Sequence, residues 1–211
     1  RECKSILIKP EDLKYKVFMC HKSKEELKGT KALDYIEWGE TTEVEIARGV
    51  GRRTKIKGYQ NLETIKGRER WYDLGKWEIS KNVLPMFENE RKYCFFNQNC
   101  FIDATLYWLY PKQYINEEIL CFLLNSTIFG LWKELVARPP EGLGALQMKV
   151  YHYKDMFILS SELVIPQNCS ILNSFFARPI LSIFEECGID PKQPIRSQQP
   201  KPLPDRKALD D

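Results

Sequence analysis

The stretch NEEILCFLLNSTIFGLWKELVA, residues 116–137, decides the fold of this chain. Its apolar residues recur every three or four positions, which predicts one long amphipathic helix. Asn116 suits the N-cap of this helix, and Glu117 and Glu118 complement the positive end of its dipole. The apolar side chains expected on its buried face are those of Leu120, Leu123, Leu124, Ile128, Leu131, Trp132 and Leu135.

A break and a loop follow this helix. Arg138, Pro139 and Pro140 end it, and the glycine-spaced stretch EGLGALQ continues to Gln147. Proline cannot continue a helix, and closely spaced glycines are typical of loops. A buried helix that leads into such a loop presents the loop at one edge of a domain. No nucleophile–base pair or metal-ligand cluster lies near it in the sequence, so the stretch indicates presentation rather than a reaction.

The rest of the chain predicts an α+β fold, with a twisted, mostly antiparallel sheet packed with one long amphipathic helix and a second C-terminal helical segment. Apolar runs predict strands at residues 5–9, 15–20, 71–74, 83–87, 92–96, 101–110, 145–150 and 156–159. Further helices are expected at residues 31–40, closed by Gly39, and at residues 169–187, where Pro179 introduces a kink or a break. The glycines match neither a Walker A nor a Rossmann fingerprint, which argues against a nucleotide site.

Bulk composition excludes several classes of protein. The 211 residues are 43% hydrophobic, enough to bury a core in one sizeable domain or two small ones. The sequence contains no run of about 18 apolar residues, so no membrane helix is predicted. Its seven cysteines include no Cys-x-x-Cys pair. This pattern favours a reducing cytoplasm and no metal site.

A basic segment lies between Arg48 and Arg70, where eight lysines or arginines stand against two glutamates. Tyr59 and Trp71 interleave with these charges. One interpretation is a solvated loop, and the other is a surface that follows the phosphates of a polyanion. The second interpretation assigns Arg52, Arg53, Lys55, Lys57, Arg68 and Arg70 to phosphate contacts.

A second polar segment, FFNQNCF at residues 95–101, places three amides between two apolar strands. Asn97, Gln98 and Asn99 have side chains that can pair bidentately with adenine in a major groove. A polar hairpin turn has the same composition, and it is the commoner reason for such a segment.

Several motifs in this order resemble one family. They are YIEWGE at residues 35–40, RERWYDLG at 68–75, LLNSTIFGLWKELVAR at 123–138 and EGLGALQMKV at 141–150, followed by a short apolar strand ending near Pro166. Together they resemble the C-terminal target-recognition (TaqI-like specificity) domain of adenine-N6 DNA methyltransferases of restriction–modification systems. The resemblance covers residues 35–211.

The resemblance implies a division of labour between two domains. The family's catalytic domain lies N-terminal, binds S-adenosylmethionine and carries an Asn/Asp-Pro-Pro-Tyr/Phe motif. Here the one Pro-Pro pair is flanked by Arg138 and Glu141, so no cofactor and no catalytic residue is expected in this chain, and the parent enzyme would supply both. The implied partners are double-stranded DNA and the missing N-terminal methyltransferase domain, in the cytoplasm and away from any membrane.

The same resemblance organises the chain into three segments. Residues 1–40 would lead from the missing catalytic domain, residues 41–190 would form the recognition domain, and residues 191–211 would be a proline-rich linker and the start of a following helix. This organisation implies a fragment cut at both ends. The candidates for base reading are Asn97, Gln98, Asn99, Arg138 and Gln147.

Two other classes remain open. A non-catalytic protein-interaction module would use an exposed apolar patch, whereas DNA binding would use a continuous positive surface. An RNA-binding domain would expose tyrosine or tryptophan on a sheet face.

Overall fold

A computed structural model describes residues 4–47, 51, 53–138, 145–158 and 174–210. The chain divides into two compact units. The smaller unit is Tyr15–Glu78, and the larger unit combines Arg1–Lys14 with Ile79–Asp211. These limits differ from the boundaries expected after residues 40 and 190.

Helices and small sheets are both present, which confirms the α+β class. The strands in chain order are β1 Leu7–Ile8, β2 Glu43–Ala47, β3 Arg53–Lys57, β4 Asn82–Pro85, β5 Phe87–Glu88, β6 Phe95–Asn97, β7 Leu106–Leu109 and β8 Leu146–Gln147. The α-helices are α1 Lys31–Thr41, α2 Glu117–Leu123, α3 Thr127–Val136, α4 Val150–Lys154, α5 Ile183–Cys187 and α6 Pro204–Asp210. Short 3₁₀ turns occupy Pro10–Asp12, Tyr59–Asn61 and Ile195–Ser197.

The larger unit is built on a four-stranded sheet in the order β1-β6-β4-β7. β4 is antiparallel to both of its neighbours, while β1 is parallel to β6. A separate antiparallel ribbon joins β5 to β8. Side chains from the sheet, α2 and α3 form the core, among them Leu84, Phe96, Leu120, Leu124 and Phe129.

The single long helix predicted for residues 116–137 is wrong. Asn116 does cap its start, because its side chain accepts hydrogen bonds from the amides of Glu118 and Ile119. The chain then breaks after α2, and α3 continues at an angle of 65°. At the break the side-chain amide of Asn125 donates a hydrogen bond to the Cys121 carbonyl at 2.7 Å. In an uninterrupted helix the backbone amide of Asn125 would donate to that carbonyl.

Ser126 starts the new helix, because its hydroxyl accepts the amide proton of Phe129 at 3.2 Å. The break also changes which side chains are buried. Leu120, Leu123 and Leu124 are buried as expected. Of the expected continuation of that face, Trp132 is partly buried against the core, but the other three side chains are exposed: Ile128 at 75%, Leu131 at 59% and Leu135 at 77%. α3 turns Phe129 and Lys133 inward in their place.

Within the described parts of the chain, no single helix is long and apolar enough to cross a membrane. The bent pair α2 and α3 reaches the same length and composition only when its two helices are added together.

The smaller unit contains α1 and the β2–β3 hairpin. Thr30 caps α1, and the helix continues through Gly39 to Thr41, so Gly39 does not close it. Gly39 is needed for packing, because a Cβ there would lie 2.6 Å from the Trp71 ring. The strands predicted at residues 15–20 and 71–74 are absent, and the latter residues form a turn and an irregular segment.

The C-terminal helical prediction is only partly right. Of residues 169–187, the first five lie outside the described residues. Pro179 divides the rest into two helical pieces, as one of the two expected alternatives had it, and forms an isolated bridge with Ser5. Residues 174–176 are helical, and the five-residue α5 forms a separate helix after Pro179. The proline-rich stretch returns along α5 through the amides of Lys201 and Leu203, and α6 then places Leu209 in the core of the larger unit.

Candidate nucleic-acid interface

The β2–β3 hairpin places three cations on one face. In its register Lys57 pairs with Glu43, Lys55 with Glu45, and Arg53 with Ala47. Side chains alternate along a strand, so Arg53, Lys55 and Lys57 point to the same side. All three are exposed. We call these three residues the cation face. Arg52 lies outside the described residues.

Two carboxylates from β2 share the cation face. Arg53 lies 3.2 Å from the Glu45 carboxylate, and Lys55 lies 3.0 Å from that of Glu43. Ion pairs between exposed side chains contribute little, about 0–1 kcal/mol each. A phosphate can therefore replace either carboxylate at small cost, and the face keeps one more cation than it has anions.

Arg70 differs from the cation face because its charge is used inside the smaller unit. Its guanidinium donates to the His21 carbonyl at 2.7 Å and lies 3.7 Å from Asp73. The Gly75 amide and then His21 donate to the Asp73 carboxylate, and these bonds hold the pKa of Asp73 below its ordinary value. Arg70 therefore ties this turn together, whereas Arg68 is exposed.

The three amides after β6 have different environments. Asn97 is fully buried; its amide donates to the carbonyls of Ser80 and Cys100, and its oxygen accepts from the Cys100 amide. These bonds use the whole side chain, so Asn97 holds the turn and is not free to read a base. Gln98 and Asn99 are exposed, and Asn99 has a φ of 61°, in the left-handed region that asparagine tolerates.

Gln98 also borders an open cleft of about 500 Å³. Phe96 and Phe176 form an apolar wall, with ring centroids 4.8 Å apart. Lys9 and Glu118 add opposite charges to the lining. The cleft offers one amide and mixed charge, a composition that selects no particular ligand.

Arg138 and Gln147 form a backbone pair, each donating its amide to the other's carbonyl at 3.2 Å. The Arg138 guanidinium lies 5.9 Å from the Tyr151 ring centroid, within range of a cation–π interaction. Burial, and secondly Arg138, lower the pKa of His152 below its ordinary value. The glycine loop between the pair, including Gly142 and Gly144, lies outside the described residues.

The base-reading candidates fall into two groups along the strands. Gln98 and Asn99 follow β6 beside the start of β4, where Asn82 pairs with Phe96. Gln147 pairs with Phe87, five residues further along the chain. Five extended residues span up to about 17 Å, so Gln147 and Arg138 lie towards the opposite end of the strand.

The sequence interpretation missed an aromatic cluster in the smaller unit. Tyr35 and Trp38, one turn apart on α1, are 43% and 50% exposed, and their ring centroids lie 5.4 Å apart. Trp38 contacts Tyr59 at 6.1 Å, and Tyr59 stacks on Trp71 at 5.5 Å. The signal was the i, i+3 spacing within YIEWGE, which places both rings on one side of a helix.

The most deeply buried charges belong to the core of the larger unit. Lys133 Nζ lies 2.7 Å from Glu88 Oε1, and both side chains are only 1% exposed. Burial lowers the pKa of Lys133 and raises the pKa of Glu88. Lys133 has no access to a substrate, so its perturbed pKa reflects packing and not chemistry.

Metal chemistry has no visible basis in the described ranges, where no group of three or more His, Cys, Asp or Glu side chains could hold an ion. Among the described cysteines, Cys20, Cys94, Cys121 and Cys187 are free thiols. Burial raises the pKa of the Cys121 thiol, which makes it a poor nucleophile.

Comparison with known proteins gives a partial relationship. A segment of this chain is similar to the Type II methyltransferase M.BanIII of Aneurinibacillus aneurinilyticus, with 30% identity over 67 residues. The match covers 29% of this chain and 12% of that protein, so the chain corresponds to only a small part of its relative. No family model matches the chain, and no solved structure does. Part of the chain is thus related to a type II methyltransferase.

Proposed function

We propose that this chain is the DNA-binding target-recognition region of a site-specific adenine-N6 DNA methyltransferase from a restriction–modification system. The observation that carries the proposal is the cation face, three exposed basic side chains on one side of a hairpin. The partial similarity to a type II methyltransferase gives that surface a context, since such an enzyme acts on DNA.

The cation face would position the protein on the phosphates without reading sequence. Alternate residues of a strand lie about 6.6 Å apart, a spacing that lets neighbouring cations approach different phosphates of one DNA strand. The weak pairs to Glu43 and Glu45 leave Arg53 and Lys55 able to exchange partners. We assign Arg53, Lys55 and Lys57 to this role, with Arg68 as a further exposed cation.

Sequence reading is assigned to side chains that are exposed and not committed elsewhere. Gln98 and Asn99 meet both conditions, whereas Asn97 does not. Arg138 and Gln147 remain candidates at the other end of β4. Arg70 is assigned to the fold of the smaller unit.

Methyl transfer would belong to a separate N-terminal domain of the parent enzyme, which would bind S-adenosylmethionine. The described side chains of this chain supply hydrogen-bond donors and positive charge, and both act in binding. The free thiols are consistent with our proposal of a cytoplasmic location.

The test is a titration of labelled duplex DNA by fluorescence anisotropy at several salt concentrations. The triple variant Arg53→Ala, Lys55→Ala, Lys57→Ala should weaken binding to all sequences alike. Each lost phosphate contact reduces the slope of log K against log salt by about 0.9, so the triple variant should lose about 2.7.

The matched control is Lys112→Ala, Lys192→Ala, Lys207→Ala, which removes the same charge from exposed positions of the larger unit. It should leave most of the slope intact. An equal loss of salt slope in both variants would show that net charge alone sets the binding, and it would contradict the assignment of the cation face to phosphate contacts. Absence of duplex binding by the wild type at low salt would contradict the proposed function itself.

A second candidate function is a protein-interaction module, and one observation favours it. Ile128, Leu131 and Leu135 form an exposed apolar row on α3. Such rows mark protein contacts when they belong to large patches. This function would be favoured if the wild type does not bind DNA and the Leu131→Ser variant loses self-association or partner binding. The exposed Tyr35 and Trp38 lie on a helix and not on the sheet face expected of an RNA-binding domain.

A further inference from the structure

Tyr35 and Trp38 form an exposed aromatic surface that the fold does not need to cover. We call these two residues the α1 aromatic pair. Their ring planes are inclined by 32° with centroids 5.4 Å apart, so both present broad apolar area on the same side of α1. Each ring is about half exposed, although aromatic side chains gain most when buried.

The pair is held in place from behind. Phe18 lies 4.8 Å from Tyr35, and Tyr59 lies 6.1 Å from Trp38. Trp71 stacks on Tyr59 with an interplanar angle of 21° and fits against α1 because residue 39 is glycine. Rings supported in this way lose little conformational entropy when a ligand binds, which favours affinity.

The pair adjoins the cation face. The Gly58 amide, directly after Lys57, donates to the Thr42 carbonyl at 2.7 Å, and this bond joins the end of β3 to the end of α1. Tyr59, two residues after Lys57, contacts Trp38. On the helix itself Asp34 and Glu37 are exposed, so an anionic backbone would approach from the hairpin side.

We propose that the α1 aromatic pair stacks against unpaired bases of single-stranded DNA whose phosphates lie along the cation face. This inference rests on the proposed DNA contact of Arg53, Lys55 and Lys57. Aromatic rings beside a basic groove are the general arrangement for binding single strands, and stacking tolerates any base because every base has a π-face.

The test uses the whole chain and two labelled probes, an oligothymidylate and an abasic oligomer with the same number of phosphates. Tyr35→Leu with Trp38→Leu keeps an apolar surface and removes the rings. It should weaken oligothymidylate binding by about 5- to 150-fold per base lost and leave the abasic probe unchanged. Tyr35→Phe with Trp38→Phe should retain most of the affinity.

Trp77→Leu is the matched control, since Trp77 is 54% exposed in the same unit but takes no part in the cluster. It should bind both probes like the wild type. Equal weakening of both probes by the double leucine variant, or no weakening of either, would overturn the inference. If the leucine variant fails to fold, the Trp38→Phe variant provides the test. Oligothymidylate should quench the tryptophan fluorescence of the wild type more than that of this variant. Equal quenching would overturn the inference.

The two proposals fail in distinguishable ways. The triple alanine variant of the cation face should weaken both probes and the duplex. Base-dependent binding of oligothymidylate without duplex binding would refute the recognition function and leave the aromatic pair as a single-strand site. Duplex binding without base dependence would refute the aromatic pair alone.

Discussion

Replacing Lys133 with methionine should lower the free energy of unfolding of the larger unit by more than a substitution at a helical position usually does. Lys133 and Glu88 form an ion pair at 2.7 Å with both side chains 1% exposed. Lys133 also lies over the Phe129 ring at 5.1 Å. Methionine keeps the length of the side chain and removes the charge, so the variant leaves Glu88 buried without its counterion.

The expected magnitude follows from the geometry. At 2.7 Å and an effective dielectric constant of about 20, the attraction is about 6 kcal/mol. Burying the two ions costs several kcal/mol each, so the intact pair contributes little net stability. Lys133→Met forfeits the attraction and keeps the cost for Glu88, a loss of about 3–5 kcal/mol. Glu88→Leu combined with Lys133→Met removes both terms and should be close to wild type.

The loss should depend on pH in a defined direction. Burial raises the pKa of Glu88 above its ordinary value of 4.5, and removing Lys133 removes a charge that opposes this shift. A group whose pKa is raised on folding stabilises the fold while it is protonated and ceases to do so as the pH rises through its folded pKa. The penalty of Lys133→Met should therefore be smaller near pH 5 than at pH 8.

Equilibrium unfolding in urea, followed by far-ultraviolet circular dichroism at both pH values, measures these differences. Lys92→Met is the control, since the Lys92–Glu134 pair at 2.6 Å leaves Glu134 half exposed and should cost at most about 1 kcal/mol. A double variant as unstable as Lys133→Met would show that shape, and not the unpaired carboxylate, sets the loss. A penalty independent of pH would refute the account of Glu88.

Three other perturbations probe different parts of the molecule. Gly39→Ala should lower the thermal midpoint of the smaller unit, monitored by tryptophan fluorescence, because its Cβ would lie 2.6 Å from the Trp71 ring. Overpacking costs about 1–3 kcal/mol, more than the gain of about 1 kcal/mol in helix propensity. His152 should titrate below 6.5 by NMR and move upward in Arg138→Ala, since burial and then Arg138 lower its pKa. Its contribution to stability is present above pH 6.5 and lost as the pH falls. Asn125→Ala should cost about 3 kcal/mol in urea unfolding, because it leaves buried backbone groups without partners.

Local signals predicted the parts of the fold that depend on neighbours in sequence. The cap at Asn116 is one example, since its acceptor and the amides of Glu118 and Ile119 lie within one turn. The apolar run at residues 83–87 is another, because β4 and β5 form there and bury Val83 and Leu84. Periodicity and capping are properties of short segments, and both elements form where those properties are strong.

The sequence predictions were wrong where contacts between residues far apart in the sequence determine the structure. The sequence pattern predicts an ordinary helical position at Asn125. In the structure its side-chain amide donates to the carbonyls of Cys121 and Cys94, and its side-chain oxygen accepts from the Cys94 backbone amide. Nothing near residue 125 in the sequence reveals Cys94. The same holds for Lys133, whose burial depends on Glu88 forty-five positions earlier.

For the candidate site, the sequence predicted a concentration of positive charge but not its arrangement. Arg53, Lys55 and Lys57 share one face because they alternate along a strand, and no strand was predicted for these residues. The compensation by Glu43 and Glu45 required the hairpin register, which the sequence did not supply. Asn97 shows the reverse case, where an amide chosen for its hydrogen-bonding capacity uses all of it inside the protein.

The break at Asn125 connects three parts of the larger unit, which explains why a straight helix cannot form there. The Asn125 side chain binds the backbone at Cys94, next to β6, while the Asn125 backbone carbonyl accepts a hydrogen bond from Arg206 of α6 at 2.8 Å. Arg206 also donates to the Thr127 hydroxyl in the first turn of α3. In a continuous helix the Asn125 backbone carbonyl would accept an intrahelical hydrogen bond, and the side-chain amide would turn away from Cys94. The hydrogen bonds to both the sheet and α6 would then be lost. The bend therefore persists because polar contacts from opposite sides meet at one residue, and the exposed row on α3 is its geometric consequence.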